Sequence, residues 1–259
     1  MPLSDPRITT FRDTKDYATK IDAIISSVRP FREDEQYAAL QKKAIESWPA
    51  VAKRIILFNQ PEDLNGWTAP GVFCVMPDQN PPQIKQMIAC AKDLEPQYIV
   101  AICNADITLT APIAKIPKAV FEHKLVTSWG CTSLRYTFDP ANPLGFQAST
   151  PALLARPPDY GLDFFCAPAR IWQMCLAEVS GVLTLGRSPW DNWVNGWFRG
   201  RVDPARYFDI TEWRCVFHPK HGRGRLEPLP PLPQLEVAAA LSHAPHPGGV
   251  PRLKFNLPT

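Results

Sequence analysis

The sequence predicts an α/β fold, with a mixed, mostly parallel, Rossmann-like sheet flanked by helices, and three observations carry that expectation. Short apolar runs rich in Ile and Val recur at Arg54-Ile-Ile-Leu-Phe-Asn59, Val72-Phe-Cys-Val-Met76 and Tyr98-Ile-Val-Ala-Ile-Cys103. Such runs suit strands covered on both faces. Between the second and third, Ile84, Met87, Ile88, Ala91 and Leu94 recur at the spacing of one helix face. The two periods alternate, so the strand ends are expected to gather along one edge of a layered sheet, where open α/β sheets bind ligands.

Taken in order, Arg7-Ile-Thr-Thr-Phe11 predicts a short first strand running into Arg12-Asp13-Thr14. A helix is expected from about Tyr17 onward, on the spacing of Ile21, Ile24 and Ile25. Residues 36–50 predict a second helix, stopped near Pro49. The strand ends near Phe11, Asn59, Asp78 and Asn104 to Asp106 then form the expected ligand edge. Further on, Lys124-Leu-Val-Thr-Ser-Trp129 and Leu134-Arg-Tyr-Thr-Phe138 read as strands, residues 139–158 as a Pro-rich connector, and residues 168–179 as a helix. Residues 1–227 are expected to form one domain. Residues 228–259 are expected to form an extended arm, because their repeated prolines exclude a compact helix or central strand.

A chain of 259 residues, 45% apolar and 20% charged, can bury a substantial core. No apolar run approaches the roughly 18 residues of a membrane span, and Met-Pro-Leu-Ser-Asp-Pro-Arg lacks the apolar centre of a signal peptide. A cytoplasmic location without a membrane span is therefore expected. The seven cysteines are scattered, with no Cys-x-x-Cys pair, and read as small buried hydrophobes rather than a disulfide frame or zinc site. A net charge of +3 does not require a nucleic-acid partner, although it favours anionic substrates.

The chemistry centres on the end of the Tyr98 run, where Asn104 and Asp106 follow the apolar residues. On an extended chain, alternate residues project to one side. Amide and carboxylate oxygens so placed suit a hard cation such as Mg²⁺ or Mn²⁺ carried by phosphates. The competing reading is an Asn/Asp turn closing a strand.

Asn104-Ala-Asp-Ile107, Gly161-Leu-Asp-Phe-Phe165, Leu185-Gly-Arg-Ser-Pro-Trp-Asp-Asn-Trp193, Phe208-Asp-Ile-Thr211 and Phe217-His218 occur in that order. Together they resemble small GT-A-type glycosyltransferases over about residues 8–225. The resemblance implies a sheet binding a nucleotide sugar, UDP-glucose or a related donor, with a divalent metal held against the diphosphate. It places Asp106 as a metal ligand, and Asn104 where the family often has an acid. As a neutral amide, Asn104 would either bind the metal or contact the ribose or a metal-bound water. His218 resembles a late histidine ligand and would favour Mn²⁺ over Mg²⁺; a structural histidine is the alternative.

On the same basis, Thr10, Phe11, Arg12 and Asn59 are expected near the nucleotide, and Arg187, Lys220, Arg223 and Arg225 near the diphosphate. Asp191 is the candidate base for the acceptor hydroxyl, with a helix N-cap as its other reading. Asp163 is the second candidate, or a holder of sugar hydroxyls. Trp190, Trp193, Trp197 and Phe198 would either stack on a ligand or fill the core at helical spacing. Two acceptor classes stand open: a glycan or small hydroxyl compound, and DNA bearing hydroxymethylated pyrimidines, which requires a basic surface. A nucleotide-sugar-binding module without catalysis is the reading from a different class.

Overall fold

A computed structural model describes residues 19–78, 82–123, 125, 128–140, 161–181, 183–185 and 190–220. Several expectations fall outside these residues: the strand at 7–11, most of the 139–158 connector, and the Pro-rich arm at 228–259.

The expected helix through Ile21, Ile24 and Ile25 is instead the central strand β1 (Ile21–Ser26). Those isoleucines satisfy a helical spacing, but β1 has parallel partners on both sides. Ile24 pairs with Ile55 of β2 (Ala52–Phe58) and with Ala101 of β4 (Ile99–Cys103). β-Branched side chains favour a pleated surface covered on both faces, and tertiary pairing overrides the local period. Asp22, the charged residue of the strand, accepts from the Ile99 backbone N–H at 2.8 Å and from Lys53 at 2.9 Å. It thereby ties β1 to both neighbours.

The other early expectations have close counterparts. Helix α1 (Glu35–Ser47) begins at an Asp34 cap whose side chain accepts from the Tyr37 N–H. β3 (Val72–Val75) and α2 (Ile84–Cys90) follow. Later come β5 (Thr108–Leu109), α3 (Ile116–Glu122), β6 (Gly130–Leu134), β7 (Tyr136–Phe138), β8 (Leu162–Pro168) and α4 (Ala169–Glu178). The described chain closes with α5 (Trp190–Arg201), β9 (Tyr207–Asp209) and β10 (Val216–Pro219). The strand expected at 124–129 is therefore displaced to Gly130–Leu134, with Trp129 buried just before it; Lys124, Val126 and Thr127 lie outside the described residues.

Among the described residues, seven strands form one sheet in the order β3-β2-β1-β4-β8-β6-β9. β3, β2, β1 and β4 are mutually parallel, β8 runs antiparallel to both neighbours, and β9 is parallel to β6. This is the mixed, mostly parallel α/β architecture that the alternation of periods predicts. The alternation of β4 sorts its side chains onto two cores: Ile99, Ala101 and Cys103 pack with α1 and α3, Val100 and Ile102 with α2, α4 and α5. Chain order reverses between β1 and β4, the switch point at which such sheets open a crevice beyond their carboxyl ends. Ser26 Oγ donates to the Cys103 carbonyl at 2.7 Å there. Because β8 is antiparallel to β4 and β6, its first residues share this edge with the last residues of the other strands.

A second sheet, β5-β10-β7, has three strands. Among the described residues, no helix is long and apolar enough to cross a membrane.

Candidate active site

At the carboxyl edge, β4 ends in a turn rather than in two further extended residues. The Ile107 N–H donates to the Asn104 carbonyl at 3.3 Å, and Trp48 Nε1 fixes the Ile107 carbonyl at 2.7 Å. The same-side projection expected of Asn104 and Asp106 on a strand therefore does not apply. The two side chains are instead brought into one cluster by tertiary partners. β10 runs antiparallel to β5 with Phe217 opposite Thr108, so His218 lies level with the turn, and its Nε2 sits 3.1 Å from Asp106 Oδ2. The Tyr37 hydroxyl donates to the same oxygen at 3.0 Å. Burial, followed by the Asp106 charge, holds that phenol above its usual pKa.

A second chain of contacts starts at Asn104. Its backbone N–H donates to the Asp163 carbonyl at 3.2 Å, and its side-chain Nδ2 donates to Asp163 Oδ1 at 2.6 Å. Asp163 Oδ2 accepts from Arg135 Nη1 at 2.6 Å. Arg135 follows β6, and its N–H donates to the Gly161 carbonyl at 3.1 Å. A Cβ at 161 would lie 2.5 Å from Arg135 Nε, so glycine there lets the guanidinium reach the carboxylate. Burial raises the Asp163 pKa; Arg135 opposes that shift and the Asp106 charge adds to it. Both oxygens of Asp163 are thus engaged by neighbours, which suits a supporting role better than that of a proton acceptor.

Asp191 stands in the first turn of α5, where Oδ1 accepts from the Asn192 N–H at 2.9 Å. Desolvation pushes its pKa up to about 6, opposed by that backbone bond and helped by the Asp163 charge. Arg135 opposes the shift as well. Trp190, Trp193, Trp197 and Phe198 on the same helix are all buried. They are core, with the Phe165 ring 5.7 Å from Trp190 and 6.0 Å from Phe198. At and beyond the end of α5, Arg201 pairs with Glu178 at 2.9 Å and Arg206 with Asp203 at 3.8 Å.

Asn59 is corrected from a nucleotide contact to a part of the scaffold. It is wholly buried, its Oδ1 accepts from the Val28 N–H at 2.9 Å, and its Nδ2 donates to the Val28 carbonyl at 2.8 Å. The side chain thus continues the strand pairing of β2 onto the segment that leaves β1. Asn59→Leu is expected to strand both Val28 backbone groups in the core and to cost about 1–3 kcal/mol of stability, read as a lower midpoint in urea denaturation. Lys220 is exposed at the end of β10, with its backbone N–H on the Phe138 carbonyl at 2.6 Å. Thr10, Phe11, Arg12, Arg187, Arg223 and Arg225 lie outside the described residues.

Tyr37 and Arg135 are members of the cluster that no motif marks. Tyr37 has only the Asp34 cap to announce its place at a helix start, and Arg135 meets Gly161 and Asp163 through the β6–β8 register, in which Leu134 faces Leu162.

Among the described residues, no group of three or more His, Cys, Asp and Glu side chains is placed to hold a metal ion. One carboxylate, one imidazole and one amide oxygen, from Asp106, His218 and Asn104, are donor types that suit a cation arriving on phosphate oxygens and keeping part of its water. Asn104 Oδ1 bears on that fit directly. It is buried and has no hydrogen-bond partner among the described residues, a state costing about 1–3 kcal/mol unless a ligand satisfies it.

No family model matches the chain, and no curated protein matches it. Among solved structures, a mannose-6-phosphate isomerase from Helicobacter pylori aligns over 61% of this chain and 78% of its own, at 9% identity and a TM-score of 0.36. A likeness of that size carries no functional argument.

Proposed function

We propose that this chain transfers a sugar from a nucleotide-sugar donor, a UDP-sugar in the first instance, to an acceptor hydroxyl. One observation carries the reading: the carboxyl edge of the sheet gathers Asp106, His218, Asn104 and Asp163 through direct contacts. Asp106, His218 and Asn104 would hold a Mn²⁺ or Mg²⁺ ion, which supplies positive charge to a departing diphosphate. Asp191 is the base. A carboxylate with a pKa of about 6 is ionised at neutral pH yet basic enough to take a hydroxyl proton. As the acceptor oxygen bonds to the anomeric carbon, its proton passes to Asp191 and the sugar–phosphate bond breaks, releasing the nucleoside diphosphate.

A glycan or other small hydroxyl compound is the acceptor this arrangement favours. Trp190, Trp193, Trp197 and Phe198, the candidates for stacking on a base, are buried in the core, and Arg201 and Arg206 are matched by acids. The amide at 104, which would otherwise favour an inactive binding module, has a local cause in the adjoining Asp163 carboxylate.

Thermal-shift screening with uridine and guanosine diphosphate sugars, with and without Mn²⁺, tests the reading. A donor at 100 times its Kd should raise Tm by about 5–10 °C, and more with Mn²⁺ than without. A flat response to every donor in both conditions would remove the proposal.

A further inference from the structure

The side chains of Asn104 and Asp163 meet at 2.6 Å, amide nitrogen to carboxylate oxygen. Asp163 is 4% exposed, and its other oxygen is held by Arg135 at 2.6 Å. A carboxylate so fixed accepts only, so it selects the nitrogen end of the residue at 104. The carbonyl end of Asn104 is then turned the opposite way, and it is this oxygen that is buried with no hydrogen-bond partner among the described residues. An acid at 104 would set two carboxylates at hydrogen-bond distance beside Asp106, a repulsion for which Arg135, already held by the other oxygen of Asp163, offers one positive charge against three negative ones.

We infer that Asp163 is a positioning residue that orients Asn104, and that this pair keeps the site one negative charge poorer, so that a divalent cation binds it well only together with a nucleoside diphosphate. The part concerning the cation rests on the donor reading above; the orientation of Asn104 does not. Asp106 and His218 bring a single formal carboxylate charge to the cation, and Asn104 adds a neutral oxygen. Affinity for a hard cation rises with the number of charged oxygens offered to it, so the diphosphate of the donor would supply the charge that the protein omits. Cation and donor would then enter as one unit.

The test exchanges the two residues. Asn104→Asp alone opposes two acids and should lower Tm by about 5–10 °C. Asp163→Asn alone presents amide nitrogen either to Asn104 or to Arg135 and should also lower it. In the double variant Asn104→Asp/Asp163→Asn, the new amide at 163 donates to the new carboxylate at 104 and turns its carbonyl to Arg135. The contact between 104 and 163 is restored with its polarity reversed, while Arg135 still donates to the oxygen at 163, now a neutral carbonyl.

The double variant should therefore melt above both single variants, and calorimetric titration with MnCl₂ alone should show it binding Mn²⁺ about tenfold or more tighter than wild type. A double variant no more stable than the weaker single variant would overturn the pairing. Recovered stability with Mn²⁺ affinity equal to wild type would overturn the role of the pair in cation binding. Recovered stability with tighter Mn²⁺, alongside a wild type that no nucleotide sugar stabilises, would uphold the pair and sink the donor reading instead.

Discussion

Replacing Asp106 with Asn is expected to lower kcat/KM for the nucleotide sugar by about 10²–10³-fold in the presence of Mn²⁺. Asp106 is the residue on which the Tyr37 hydroxyl and His218 converge, both on Oδ2 and within 3.1 Å. It is 4% exposed, so its charge acts where little water screens it. The isosteric change keeps volume and one oxygen for Tyr37 and His218 but removes the negative charge that would draw a cation to the diphosphate. Loss of Mn²⁺ stimulation should accompany the fall in rate, and a circular dichroism spectrum and melting curve near those of wild type would separate this from unfolding. Full turnover in Asp106→Asn, or in wild type treated with chelator, would eliminate the cation.

For Asp191→Asn the expected loss in transfer is about 10²–10⁴-fold, the usual contribution of a general base, while donor binding followed by thermal shift is retained. Wild-type kcat/KM should rise with pH through about 6, as Asp191 loses its proton, and the variant should lose that limb. Stability has the opposite slope. The folded pKa lies above the ordinary carboxylate value of 3.8, so the fold holds this proton more tightly than the unfolded chain does. The resulting stabilisation is complete below pH 3.8 and is lost as pH rises through 6. Asp191→Asn should flatten that dependence. If Asp191 acts only as a helix-start residue, the variant should lose Tm at every pH and keep its transfer rate.

What could be read from the sequence, and what could not, divides by the range of the signal. β2, β3, α2 and β4 were legible because each is a continuous local pattern, and the α/β class followed from their alternation. β1 was not, because Ile21, Ile24 and Ile25 satisfy a helical spacing, and only the strands on either side, far off in sequence, decide the matter. At the site, Asp106 and Asn104 were visible as polar residues ending an apolar run. The meeting of Asp106 with His218 depends on β10 pairing with β5, and that of Arg135 with Asp163 on β6 pairing with β8. No window of sequence contains either pairing. Asn59 misled for a related reason: an amide at a strand end looks alike whether it awaits a ligand or, as here, bonds the backbone of Val28.

The strand that delivers His218 is the last one described, and it closes against β5 and β7, both much earlier in the chain. During synthesis on the ribosome, the parallel half of the large sheet can therefore assemble while Asp106 still waits for its imidazole. A product truncated before Val216 would lack both this histidine and the strand that closes the three-stranded sheet.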